Sequence, residues 1–219
     1  MARRRIATIC AAVVGLVVAL FGAVTADPTA AIVGGADAPP GATPSIVAIV
    51  DPQPHFQFCG GTLVAPQWVL TAPHCVLGYA FQPTVLHVVS GRTADEPRRR
   101  ADGTTTMGTI AGWGTVDPAG TTDSIKLRIA TAPVLSDKQC HATISTFRPA
   151  GQICVGTPAV GPCKGDSGGP LYVVDTKGAT RVAGVVSYGS EPCNLLPGGF
   201  VQVSANLGWI QSVIGAPPP

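Results

Sequence analysis

The sequence predicts an all-β fold of many short strands joined by turns, with a helix near the C-terminus. The 219 residues include 27 glycines and 21 prolines, spread along the chain without a period. These residues are typical of the turns that join short strands. Helical spacing of apolar residues stands out near the C-terminus, at Leu207, Ile210, Val213 and Ile214. The length suits one large all-β domain or two small ones.

Apolar and β-branched runs give the predicted elements in chain order. In the first half the predicted strands are 45–50, 56–65, 68–72 and 85–90. In the second half they are 106–112, 126–132, 152–156, 170–174, 181–187 and 199–204. Helices are predicted at 137–143 and 206–214, and 215–219 is a proline-rich tail that we expect to be disordered.

The N-terminus is predicted to be a signal peptide over residues 1–26. Three arginines (3–5) precede an uncharged run at 6–24, and 24–26 fits a signal-peptidase site, with 29–31 as a second candidate. A retained membrane anchor is the competing interpretation, since an uncharged run of 19 residues can span a bilayer. The paired arginines leave Sec and Tat export both open. Residues 27–31 are predicted to be a short propeptide.

Charge and cysteine content narrow the functional classes. A net charge of +2 with 12% charged residues argues against nucleic-acid binding. Scattered histidines and the lack of a Cys-x-x-Cys motif argue against zinc, and no residue pattern requires a cofactor. Six cysteines follow the signal segment and allow fifteen pairings. These are Cys59, Cys75, Cys140, Cys154, Cys163 and Cys193.

The residues at 161–170 point to nucleophilic chemistry. Ser167 lies in the run Gly-Asp-Ser-Gly-Gly-Pro. A serine is a weak nucleophile unless a base takes its proton, so it needs a histidine nearby in the fold. The glycines leave the backbone accessible to a substrate carbonyl. The N–H groups of Gly165 and Ser167 are candidate donors to a developing oxyanion.

Four motifs in the same order resemble the trypsin-like, chymotrypsin-fold serine proteases of the secreted bacterial type. They are Ile-Val-Gly-Gly at 32–35, Leu-Thr-Ala-Pro-His-Cys at 70–75, Gly-Trp-Gly at 112–114, and Gly-Asp-Ser-Gly-Gly-Pro at 165–170. The resemblance implies a peptidase domain over 32–214, folded as two six-stranded antiparallel Greek-key barrels with a C-terminal helix. It also implies a secreted monomer that acts on proteins or peptides.

The resemblance implies a role for particular residues. Ser167 would be the nucleophile and His74 the general base, with an oxyanion hole at Gly165 and Ser167. Cleavage before Ile32 would free an ammonium group that pairs with Asp166. The implied disulfides are Cys59–Cys75, Cys140–Cys154 and Cys163–Cys193.

The substrate pocket implied by the resemblance would be formed by five residues. Gly161 stands at its floor, where an enzyme specific for Arg or Lys has an aspartate. The remaining residues are Ser187, Tyr188, Gly189 and Gly198. Small walls and an uncharged floor predict a preference for a large apolar or aromatic residue before the scissile bond.

One segment of the family pattern is missing. Only 38 residues (75–112) separate His74 from Trp113, and the stretch carrying the histidine-orienting aspartate is not found. We therefore expect an incomplete first barrel, truncated between about 92 and 105. The acids considered as substitutes are Asp95, Glu96, Asp102 and Asp123. A catalytically impaired homologue that binds peptides or partners is the alternative to an active endopeptidase.

Overall fold

The computed structural model describes residues 32–51, 56–79, 86–90 and 106–215. The predicted signal peptide, the propeptide and residues 216–219 of the predicted tail lie outside these ranges, as do Asp95, Glu96 and Asp102. Among the described residues, no helix has the length and apolar character needed to cross a membrane.

The described chain is mostly β, as predicted, with two antiparallel sheets and two short α-helices. The first-sheet strands are β2 (Ile46–Asp51), β3 (Phe56–Ala65), β4 (Trp68–Leu70) and β5 (His87–Ser90). The remaining strands are β1 (Ala36–Asp37), β6 (Met107–Gly112), β7 (Arg128–Pro133), β8 (Gln152–Val155), β9 (Pro170–Val174), β10 (Thr180–Tyr188) and β11 (Gly198–Gln202). The helices are α1 (Asp137–Thr143) and α2 (Leu207–Ile214).

The first sheet is a half-barrel of four strands in the order β4-β3-β2-β5. Its buried cluster contains Ile49, Cys59, Ala72 and Cys75, together with Val185 from β10 of the second sheet. The predicted shortage of strands in this half is therefore confirmed within the described residues. The two sheets share this small core, so β3 lies close to the second half of the chain.

The second sheet has seven strands in the order β1-β7-β6-β9-β10-β11-β8. Beyond the end of β7, Leu135 donates its N–H to the carbonyl of Cys154 (3.0 Å), and Gly156 donates to Pro133 (3.2 Å), which joins β7 to β8. These bonds close the sheet into a barrel around the fully buried Ile110, Leu171 and Phe200. Six of the strands were predicted, and the seventh is the two-residue β1 at the edge.

Helix α1 begins at a capping box. The Ser136 hydroxyl accepts from the Gln139 N–H, and the Gln139 side chain accepts from the Ser136 N–H. Helix α2 confirms the predicted C-terminal helix, but its predicted apolar face is only partly covered. Ile210 is buried, whereas Leu207 and Val213 are 45% and 40% exposed.

Three disulfide bonds link Cys59–Cys75, Cys140–Cys154 and Cys163–Cys193, the pairing that the resemblance implies. The second ties α1 to β8 beside the fully buried Phe147. Its two cysteines are 14 positions apart in the sequence. A cross-link of this span restricts the unfolded chain and thereby stabilises the fold.

We expect the double substitution Cys140→Ala and Cys154→Ala to lower the free energy of unfolding by about 3 kcal/mol, because the unfolded chain regains loop entropy. Urea unfolding followed by circular dichroism measures the change. Thr143→Ala, which removes an exposed hydroxyl from the same helix, should change the free energy by less than about 0.5 kcal/mol. Equal stabilities of the double variant and the parent would contradict the expectation.

Candidate active site

Ser167 lies in the turn between β8 and β9, and its backbone is bound to the first sheet. The N–H of Gly60 in β3 donates to the Ser167 carbonyl at 2.7 Å. Gly168, with a φ of +80°, has the left-handed conformation that favours glycine. A Cβ on Gly168 would overlap both the Thr71 Oγ1 atom and the Gly60 carbonyl oxygen. The glycine therefore allows the serine turn to lie directly against the end of β4.

His74 is carried by a short 3-10 turn, Pro73–Cys75, that follows β4. Pro73 occupies the first position of this turn, where no N–H is needed. A ring nitrogen of His74 lies within 4.8 Å of both sulfurs of the Cys59–Cys75 disulfide. The Cys75 sulfur is in turn 3.6 Å from the carbonyl oxygen of Ser167. The disulfide thus places the imidazole beside the serine turn.

No acid is paired with His74 in the described ranges. His74 is exposed there and makes neither an ion pair nor a hydrogen bond to Ser167. Asp123, one of the acids considered as a substitute, is exposed in the loop before β7 and makes no hydrogen bond or ion pair with His74 within the described ranges. Ser167 and His74 therefore lie in the same region without a hydrogen bond between them.

Two backbone N–H groups of the serine turn have no hydrogen-bond acceptor among the described residues. Within the described ranges neither Gly165 nor Ser167 donates its N–H in a hydrogen bond, whereas Asp166 between them donates to the Cys163 carbonyl at 3.1 Å. Gly165 has a φ of +89°. Two unpaired donors one residue apart are the arrangement that binds a developing oxyanion.

Asp166 is the most deeply buried charged side chain of the site, with no exposed surface. Its carboxylate accepts from the N–H groups of Gly114 and Cys163, each at 2.9 Å. A Cβ on Gly112 or Gly114 would overlap the carboxyl group, which explains the glycines on both sides of Trp113. Burial raises the pKa of Asp166 to about 7, against the lowering effect of these two hydrogen bonds.

The segment at Ile32 is packed into the second sheet. The Ile32 side chain is fully buried, and Val33 forms a bridge to Gly161. A Cβ on Gly34 would overlap the Ala159 carbonyl, so only glycine fits there. In the intact chain the Ile32 nitrogen is a peptide amide, and Asp166 makes no ion pair with any described residue.

A pocket of about 150 Å³ opens beside Ser167. Of the predicted residues, Ser167, Tyr188 and Gly189 line it, whereas Gly161, Ser187 and Gly198 lie outside its lining. Gly198 faces the ring of Pro162, and a Cβ there would overlap that ring. The pocket wall on this side is therefore the proline ring.

Asn194 fills the space beside Gly161 that a side chain at that position would occupy. It is 5% exposed and has a φ of +63°, a conformation that asparagine tolerates better than most residues. Sequence reasoning did not identify Asn194, because its position beside Gly161 depends on the fold of the Cys163–Cys193 region.

The pocket rim carries an ion pair between Lys164 and Glu191, at 2.9 Å. The hydrogen bond and the charge of Lys164 lower the pKa of the Glu191 carboxyl. Both side chains are more than half exposed, so water screens the pair and it adds little to stability. Its position gives the entrance one charge of each sign.

Comparison with known proteins agrees with these features. The family model described as Trypsin matches residues 32–106 and 90–210. The chain is 33% identical to "Trypsin" of Saccharopolyspora erythraea over 237 aligned residues, covering 84% of this chain and 99% of that protein. It is 32% identical to "Serine protease 56" of Homo sapiens (84% of this chain, 39% of that protein) and 29% identical to "Brachyurin" of Leptuca pugilator (85% and 100%).

The length of one alignment bears on the missing segment. The alignment with the Saccharopolyspora protein has 237 positions, whereas 84% of the 219 residues of this chain is about 184 residues. The Saccharopolyspora protein therefore has residues at alignment positions where this chain has none. This agrees with the short stretch between His74 and Trp113.

We expect Gly168→Ala to lower the free energy of unfolding by at least about 2 kcal/mol more than Gly178→Ala does, because its Cβ meets Thr71 and Gly60. Gly178 is the matched control, since its φ is +93° and nothing lies within 4 Å of its Cβ position. Both variants share the cost of a left-handed residue, about 1–2 kcal/mol. Denaturant unfolding of the two variants measures the difference, and equal losses would disprove the close approach.

The raised pKa of Asp166 predicts that the intact chain loses stability as the pH rises from about 4 to about 7. In this window the folded carboxyl binds a proton and the unfolded one does not, so unfolding is favoured as protons are removed. Unfolding free energies at half-unit pH intervals test this, and Asp166→Asn should flatten the slope. Asp175→Asn should change the profile only at lower pH, because the hydrogen bond from Arg181 lowers the pKa of Asp175.

Proposed function

This chain belongs to the trypsin family of serine-type endopeptidases, and we propose that it hydrolyses peptide bonds through an acyl-enzyme formed on Ser167. The observation that carries the proposal is the packing of the serine turn on the turn that holds His74. Gly60 binds the Ser167 carbonyl, and the Cys59–Cys75 disulfide lies between the imidazole and that carbonyl. This contact joins the segments that carry Ser167 and His74, which supports the proposed roles of the two residues as nucleophile and base.

In the proposed reaction the Ser167 hydroxyl attacks the substrate carbonyl while His74 takes its proton. The imidazole then gives the proton to the leaving amine, and the C–N bond breaks to leave an ester on Ser167. Water attacks the ester with His74 again as base, which releases the acid product and restores the serine. The hydrogen bond between the two residues, absent among the described contacts, would form when substrate is bound.

The negative charge that develops on the carbonyl oxygen would be met by the N–H groups of Gly165 and Ser167. Their lack of other partners in the described ranges supports this role. Donors held in place before the reaction need no reorganisation when the charge appears. Loss of one such donor costs roughly 10²- to 10³-fold in kcat in enzymes of this mechanism.

Cleavage before Ile32 is the proposed activation step. It would create an ammonium group at a residue that already packs into the second sheet. The buried Asp166 is the proposed acceptor of that charge, since it has no other ionic partner among the described residues. An adjacent cation would lower the pKa of Asp166 from about 7 and keep its carboxylate charged.

A large apolar or aromatic residue is the proposed preference before the scissile bond. The pocket beside Ser167 is lined in part by Pro162, Val186 and Tyr188. The neutral amide of Asn194 lies beside Gly161, the position at which an enzyme specific for Arg or Lys has an aspartate. Cleavage confined to Arg or Lys residues would contradict this preference.

Secretion and a monomeric state are further parts of the proposal. Three disulfides in a chain of this size are typical of proteins that fold outside the cytosol. The predicted signal peptide at 1–26 agrees with export. Membrane attachment would require that this segment be retained.

A second candidate function is peptide or partner binding without efficient catalysis. It is favoured by the lack of any acid paired with His74 among the described residues. Loss of the orienting aspartate lowers turnover roughly 10⁴-fold in enzymes that use this mechanism. The pocket and the free N–H groups would still bind a peptide in such a protein.

Labelling with a fluorophosphonate separates the two functions. In a chain that begins at Ile32, we expect labelling that Ser167→Ala abolishes and that His74→Ala slows by at least about 10²-fold, because the base is lost. His141→Ala is the matched control, since His141 lies on α1 against Phe147 and away from the serine. No labelling of a folded, disulfide-bonded protein would reject the peptidase and leave the binding function.

A further inference from the structure

We infer that Gln57 is a positioning residue, which holds the Gly165 carbonyl and thereby fixes the donor geometry of the serine turn. The inference rests on the proposed role of the Gly165 N–H in oxyanion binding. Gln57 lies in β3, is half-buried and is separated from Gly165 by 108 positions in sequence. Nothing in its sequence context marks it as part of the site.

The side chain of Gln57 reaches two backbone carbonyls. Its Nε2 atom donates to the Gly165 oxygen at 2.9 Å and to the Cys59 oxygen at 2.9 Å. Both hydrogens of the amide are used, and the opposite orientation would place Oε1 against two carbonyl oxygens. The contacts therefore define which way the amide points.

A β-bulge directs Gln57 toward the turn. Ile49 of β2 pairs with Cys59, but the next residue, Val50, pairs with Gln57, so Phe58 is the extra residue of β3. A bulge of this kind re-aims the neighbouring side chain. The result is that β3 contributes two bonds to the serine turn, from Gln57 to Gly165 and from Gly60 to Ser167.

Gly165 is held on both sides. The carbonyl of Lys164 accepts from the Thr115 N–H at 2.8 Å, and in a trans peptide this directs the Gly165 N–H the opposite way. The carbonyl of Gly165 is held by Gln57, which directs the Asp166 N–H toward Cys163. In the described ranges no other donor reaches the Gly165 oxygen.

Without Gln57 the Gly165–Asp166 peptide would be held on one side alone. Rotation of this peptide changes ψ of Gly165 and φ of Asp166, and a glycine, which lacks a Cβ, opposes the change in ψ less than any other residue once its carbonyl is released. Rotation would remove the Asp166–Cys163 bond and misalign the N–H groups of Gly165 and Ser167. Substrate binding in the pocket would not depend on this bond, because Gln57 does not line the pocket.

The test compares Gln57→Met, which keeps the length but lacks the donors, with Gln57→Glu, which places a carboxylate near two carbonyl oxygens. For a chain starting at Ile32 and a peptide nitroanilide with an apolar residue before the scissile bond, we expect kcat to fall about tenfold in Gln57→Met and further in Gln57→Glu. KM should change by less than about twofold, because the lost interaction acts in the transition state. Gln202→Met is the matched control, since the amide of Gln202 donates to the exposed Ser204.

Hydrogen exchange of the Asp166 amide, measured by mass spectrometry, supplies a readout that does not need turnover. We expect faster exchange in Gln57→Met than in the parent and in Gln202→Met. An unchanged exchange rate, or a kcat equal to that of Gln202→Met, would overturn the inference. If the parent neither reacts with a fluorophosphonate nor turns over substrate, the proposed peptidase activity fails, and the exchange rates alone decide whether Gln57 holds the turn.

Discussion

The buried carboxyl group of Asp166 constrains three segments of the chain at once. Two N–H groups, from Gly114 and Cys163, are all that the described residues offer it, and burial still raises its pKa to about 7. Positions 112 and 114 require glycine, because a Cβ at either position would overlap the carboxyl group of Asp166. The serine turn is fixed by the same group, since Ser167 follows it directly. A charge in this place is costly without a cation. Under the proposed activation step, the charge state of Asp166 would therefore differ between the intact chain and a chain cut before Ile32.

The shortened first sheet retains the part that the site requires. The first sheet contacts the serine turn from β3 and from the residues just after β4, through Gln57, Gly60, Thr71 and Cys75. Strand β3 lies inside the sheet, between β4 and β2, whereas β5 forms one edge. On that edge Val88 and Val89 are 51% and 53% exposed. A loss of outer strands therefore exposes apolar surface at the edge without removing the contacts that position Ser167.

The sequence predicted the strands well because each is a short apolar run bounded by turn residues. The run at 170–174 is β9 as predicted, and the run at 106–112 differs from β6 by one residue. Motif order also placed Ser167 and the turn of His74 in one region.

The contacts that depend on distant parts of the chain were not predictable in this way. Gln57 acts through a bulge and a partner 108 positions away, and the wall near Gly198 is set by the ring of Pro162. Helical spacing identified the apolar face of α2 but could not show that Leu207 stays exposed.

In the proposed catalytic machinery, the serine turn is held by more hydrogen bonds than the imidazole of His74. The serine turn has hydrogen bonds at Lys164, Gly165, Asp166, Ser167 and Gly168, drawn from both sheets. The imidazole of His74 packs on a disulfide but has no hydrogen bond that fixes its ring orientation or its tautomer in the described ranges. A base that must find its orientation contributes less to the rate, whereas fixed donors contribute fully when charge develops. When the triad is removed, oxyanion binding and substrate binding together still raise the reaction rate roughly 10³- to 10⁴-fold over that in water. Under the proposed mechanism, the rate enhancement in this chain therefore depends more on the geometry of the serine turn than on the serine–histidine pair.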